Sequence, residues 1–184
     1  MSSNRKVIIG LLTDNIKNDT KVFDAAITLR DQYQDALILL IRTNSILVNS
    51  NDKAGSLNEL KKAFHKANAE NLELLIIGHI RGDKLSSTEA NELAELILSA
   101  TSTLDSDITQ IRIIDCAEDL TNAIKYSKSF IGNMPNFNLK QTGNRLGEHS
   151  FSTMERTTTK RIGFFNRQAE DYHQSTSRAE LRSF

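Results

Sequence analysis

The chain has one cysteine, one proline and no tryptophan in 184 residues. A lone cysteine excludes an internal disulfide, and four scattered histidines offer no Cys/His cluster at zinc-ligand spacing, so no structural or catalytic metal is expected. With so little proline and only eight glycines, collagen-like and low-complexity chains are excluded. Aromatic residues are sparse, three Tyr and eight Phe, and formal net charge is zero, which disfavours a nucleic-acid partner. No apolar run approaches the roughly 18 residues needed to cross a bilayer. The polar start Met1-Ser2-Ser3-Asn4-Arg5-Lys6 leads into an apolar stretch too short for a signal peptide. The expectation is a soluble chain without a membrane span, in the cytoplasm or delivered into a host-cell cytosol.

What remains is an ordinary globular composition, 39% hydrophobic and 25% charged, in a length that fits one domain with its own core. Charge is uneven along the chain: of the 23 basic and 23 acidic side chains, residues 1–120 hold 13 and 18, and residues 121–184 hold 10 and 5. A basic C-terminal part suits an anion, and equally a solvated face.

Lys6 to Thr13, Ala36 to Ile41 and Leu72 to Ile77 are short, continuous, aliphatic runs of the buried-strand kind, and Ile108 to Ile114 is a strand that alternates with polar residues. Between them, helical spacing of apolar residues predicts helices over Thr20–Gln32, Ser56–Ala69, from Ser86 through Leu98, and Ala117–Phe130. Ser56-Leu-Asn-Glu59 and Ser86-Ser-Thr-Glu89 have capping-box form and predict two of the helix starts. Ser45–Asn49 is a candidate hairpin partner for the second strand. Alternating strands and helices imply an α/β fold with a mainly parallel sheet flanked by helices on both faces. From Ile131 the pattern breaks into short stretches near Phe137–Gln141, Ser150–Met154 and Arg161–Phe165, small antiparallel strands or an antiparallel flap over about 131–166. The division is thus one domain over 1–166 and a polar, mobile tail over 167–184.

Ligands of open α/β sheets bind beyond the carboxyl ends of the parallel strands. Asp14 follows the first strand, Gly78-His79 the third and Asp115-Cys116 the fourth, so all three titratable side chains face one edge if the strands are neighbours. A thiol needs an imidazole or a helix N-terminus beside it to become a nucleophile, and Cys116 is placed to have both. His79 then serves as base, Asp14 as its orienting carboxylate, and Gly78 with nearby amides as an oxyanion hole. Each residue also has a plainer reading: Cys116 as a small buried hydrophobe, His79 as a structural histidine, Asp14 as a turn residue.

Leu-Leu-Ile-Ile-Gly78-His79-Ile80-Arg81 followed by Ile-Arg-Ile-Ile-Asp115-Cys116 resembles the caspase-like cysteine peptidases. The resemblance is greatest to the self-cleaving cysteine protease domain of MARTX and large clostridial glucosylating toxins, and it extends from Lys6 to Phe165. It differs from that family in having Ile80 at the second glycine of Gly-His-Gly, and in a 37-residue spacing from His79 to Cys116 against roughly 50 in caspases. The resemblance implies a caspase-like fold and a cysteine endopeptidase, a thiol protease that cuts a polypeptide in cis or in trans as part of a toxin or effector. It also implies activation by inositol hexakisphosphate at a basic pocket, for which Arg81, Lys140, Arg145, Lys160 and Arg161 are the candidates. The alternative reading is a catalytically inactive caspase-like binding module for a partner protein or a phosphate-rich ligand. A flavodoxin-like nucleotide site is a weaker third, since Gly10 stands alone in its strand with no glycine-rich phosphate loop.

Overall fold

The computed structural model describes residues 4–43, 50–102, 104–116, 120–146 and 149–157. Aliphatic runs pack where both faces of a strand are covered, and they supply the centre of the sheet. Strands β1 (Asn4–Leu12), β3 (Asn71–Gly78) and β7 (Asp107–Asp115) lie side by side in parallel, and β2 (Leu37–Arg42) runs parallel along the outer side of β1. A hairpin of β8 (Phe137–Leu146) and β9 (His149–Arg156) completes the sheet, with β9 antiparallel to β7, giving the order β2-β1-β3-β7-β9-β8. Immediately after β3, three two-residue strands, β4 (Ile80–Arg81), β5 (Lys84–Leu85) and β6 (Thr88–Glu89), form a separate antiparallel sheet.

Helix α1 (Ile16–Gln32) closes one face, where Val22 and Ala26 meet Ile8, Leu75, Ile77, Ile114 and Cys116. Helices α2 (Ser50–Ala67), α3 (Ala90–Thr101) and α4 (Leu120–Gly132) belong to the core of the other face, which includes Val7, Ile9, Leu74, Ile76 and Ile113. Each fully buried Ile or Leu contributes about 1.5–3 kcal/mol. The α/β class, the mainly parallel sheet and its two helical faces agree with the sequence. Among the described residues no helix is long and apolar enough to cross a membrane.

Two local expectations are corrected. Ser56 lies inside α2, which is already helical at Ser50, because an apolar stripe continued by tolerant polar residues extends a helix past an internal Ser/Glu pair. Ser86 and Ser87 do not cap a helix: both take positive φ, 46° and 72°, and turn β5 into β6 as a two-residue hairpin turn requires. Helix α3 starts instead at Ala90, with Glu89 as an N-cap that makes no side-chain cap bond. The antiparallel strands expected after Ile131 are present in the first two stretches, as a hairpin built into the main sheet. Ser45–Asn49, Arg161–Phe165 and the 167–184 tail lie outside the described residues.

Candidate functional site

Parallel register brings the ends of β3 and β7 together, with Gly78 opposite Asp115, and the Cys116 amide donates to the Gly78 carbonyl at 3.1 Å. His79 and Cys116 therefore leave adjacent strand ends at the carboxyl edge. Their surroundings differ from those of a nucleophile and its base. Cys116 packs among Ile77, Ile114 and Val22, and among the described residues its thiol makes no hydrogen bond. Burial, and then the Asp115 charge, push this thiol up to about 12, against a smaller opposing pull from Lys21. At neutral pH such a group stays protonated and inert.

The amides expected to form an oxyanion hole are already committed. His79 N–H donates to Ser86 Oγ at 3.0 Å, Ile80 N–H to Asp115 Oδ1 at 3.1 Å, and Cys116 N–H to the Gly78 carbonyl. Ser86 N–H returns a 2.9 Å bond to the His79 carbonyl, so His79 and Ser86 are locked reciprocally. Gly78 has a packing reason of its own. A Cβ there would lie 2.6 Å from Leu85 Cγ and 3.0 Å from Ser86 Oγ, so only glycine lets the small sheet fold down on the end of β3.

Asp14 turns toward β2, where it forms an ion pair with Arg42 at 3.0 Å. The turn between β1 and α1 is sealed by its own side chains. Asn15 Oδ1 accepts the Asn18 amide, and Asp19 Oδ1 accepts both the amide and the hydroxyl of Thr13. With a carboxylate on the turn and no glycine in it, this helix start does not repeat the phosphate-binding turn of dinucleotide folds. Arg81 is exposed on the small sheet and Lys140 is exposed on the edge strand β8 of the large one. Arg145 stands on β8 opposite Ser150, and Lys160 and Arg161 lie outside the described residues.

A different group of side chains does converge. The β4–β5 turn, the start of α3 and one flank of α4 enclose a cleft of about 430 Å³ lined by Asp83, Glu89, Asn91, Asn122, Lys125 and Tyr126. Its floor is Tyr126, buried, whose hydroxyl donates to the Thr88 carbonyl at 3.1 Å. Burial, with the charges of Glu92 and then Glu89, raises this phenol far above the usual tyrosine range and keeps it a hydrogen-bond donor. Asp83, Glu89 and Lys125 make no ion pair among the described residues. Sequence reasoning missed this cleft because Glu89 was assigned to a helix cap. The available signal was Tyr126, whose hydroxyl needs a partner within the otherwise inward stripe Ala123, Ser127 and Phe130. Among the described residues no three His, Cys, Asp or Glu side chains gather as a metal site would require.

No protein-family model matches the sequence, and no curated protein does. Among solved structures the chain is similar to an NADB-Rossmann superfamily protein from Streptococcus agalactiae, at 7% identity and a TM-score of 0.37, over 84% of this chain and 63% of that one. It is also similar to a candidate tRNA (m1A22) methyltransferase of Streptococcus pneumoniae, at 6% identity and a TM-score of 0.33, over 84% of this chain and 64% of that one. The chain thus spans less than two thirds of either protein, and at these scores neither likeness carries a function across. What overturns the peptidase reading is the chemistry at the strand ends. The thiol is shielded and protonated, the oxyanion donors are consumed, and Asp14 is held by Arg42. The expectation of a cysteine endopeptidase, with its toxin, effector and self-cleavage corollaries, is corrected on these grounds, and no observation supports the inactive caspase-like module derived from the same resemblance.

Proposed function

We propose that the chain is a small-molecule-binding α/β domain whose ligand occupies the cleft between the β4–β5 turn, α3 and α4. One observation carries this reading: the cleft gathers two carboxylates, two carboxamides and an ammonium around a volume of about 430 Å³, within the 300–1,000 Å³ range of ligand sites. Such a lining exchanges hydrogen bonds with a compact polar molecule, one bearing hydroxyl or amino groups, rather than with an apolar one. The position supports it too. The small sheet follows β3 directly and α4 follows β7, so the cleft is built by the connections at the carboxyl edge where open α/β sheets hold ligands.

The test is ligand-observed NMR on the full chain with a panel of amino acids, polyamines and sugars, read again with Glu89→Gln and Lys125→Ala chains. A hit that weakens by about tenfold or more in either variant supports the site. A panel without hits, or hits that ignore both substitutions, refutes it.

A further inference from the structure

The two edges of the large sheet are finished differently. On β8 the outward positions Asn138, Lys140 and Gln141 are exposed and polar, the usual way of discouraging another strand from pairing. On β2 the sequence is Leu37-Ile-Leu-Leu-Ile41-Arg42, five aliphatics in succession. Four of these five are only half-buried, whereas the aliphatics of β1 and β3 are almost all fully buried. The cause is positional: β2 pairs with β1 alone, and among the described residues its other side has no strand against it. An unbroken aliphatic edge without proline, bulge or inward charge is a template for another strand.

We propose that this edge is the contact surface of a two-fold dimer of this chain, with β2 running antiparallel to β2 of a second copy so that two sheets join into one. The inference is independent of the cleft. The occupant follows from the strand itself, because a two-fold axis normal to a sheet keeps each face on its own side and so pairs residues of equal parity. Leu37, Leu39 and Ile41 belong to the α2 side of the sheet, and Ile38 and Leu40 to the α1 side. With the axis at Leu39, that residue meets its own copy, Leu37 faces Ile41 and Ile38 faces Leu40, each apolar against apolar. The ends are complementary in charge. Exposed Asp35 precedes the strand and exposed Arg42 ends it, so the antiparallel arrangement sets Arg42 of each copy opposite Ala36 of the other, beside its Asp35. Two of the large hydrophobics most exposed among the described residues, Ile16 and Phe23, line the same hollow as Arg42 and lengthen the apolar strip at that end.

The test is sedimentation velocity of the full chain across a concentration series, with Asp35→Lys, Arg42→Glu and the double exchange. A dimer is expected for the parent chain. Each single variant sets like charges against each other at both ends and should weaken the dimer about tenfold or more, while the double variant restores it. The Arg42–Asp14 pair is lost in the double variant as well, so recovery there cannot come from that contact. A parent chain that stays monomeric throughout overturns the proposal. So does a dimer indifferent to all three variants.

Discussion

Asp115 Oδ1 accepts the amide of Ile80 at 3.1 Å across 35 residues of chain, and so ties the end of β7 to the first strand of the small sheet. Asp115 is almost wholly buried there, at 1% exposure, and Ile80 is buried beside it. One carboxylate thus fixes the roof of the carboxyl edge and sets the electrostatic tone around Cys116.

Replacing Asp115 with Ala should leave the Ile80 amide buried without its acceptor, at a cost of about 1–3 kcal/mol. Asp115→Asn keeps an acceptor and should cost less. Urea denaturation of the three chains checks the order, and equal midpoints for parent and Asp115→Ala would show the bond to be idle.

Cys116 should react very slowly in the native state. A thiol at about 12 presents about three-thousandfold less thiolate at pH 7 than one near 8.5. Intact-mass measurement after brief alkylation should show an unmodified native chain and a fully modified unfolded one. Because the thiol is raised in the folded state, its contribution to stability is complete below the unfolded value. It is lost as pH climbs toward 12. Between pH 8 and 10.5 the parent chain should therefore lose more stability than Cys116→Ala, as measured by urea midpoints.

Gly78→Ala should destabilise the fold by about 1–3 kcal/mol, since the new methyl falls 2.6 Å from Leu85 Cγ. The penalty should shrink in a Leu85→Ala background, where the opposing atoms are gone, and a double-mutant cycle measures that coupling. An unchanged penalty would place the strain elsewhere.

Tyr126→Phe should cost about 1–2 kcal/mol, because the Thr88 carbonyl loses the hydroxyl that satisfies it in a buried position. Thermal unfolding tests this. A Tyr126→Phe chain as stable as the parent would mean that water replaces the hydroxyl at the floor of the cleft.

Much of the scaffold was legible because burial on both faces leaves a plain mark. The aliphatic runs of β1 and β3 are unbroken, and α1 shows its inward Val22 and Ala26 at helical spacing. The Ser86–Glu89 segment was misread because a capping box and a Ser-Ser hairpin turn use the same residue types. The bonds between Ser86 and His79 that favour the turn join residues seven apart and leave no periodicity. Adjacency of His79 and Cys116 at the strand ends followed from the strand pattern. What surrounds them did not, since the depth of the thiol depends on α1 packing over it, and two of the three committed amides depend on the small sheet folding over the edge.

The last strand to be made is not the outermost one. β8 precedes β9 in the chain but lies beyond it in space, bonded to β9 and not to β7. On a ribosome, β8 would emerge with no neighbour to receive it, and β7 would keep one bare flank until the residues of β9 arrived. Four of the six strands can assemble early, but the other two wait on the stretch ending at Arg156, so a nascent chain stalled before that point would display β8 and the bare flank of β7 to whatever it met.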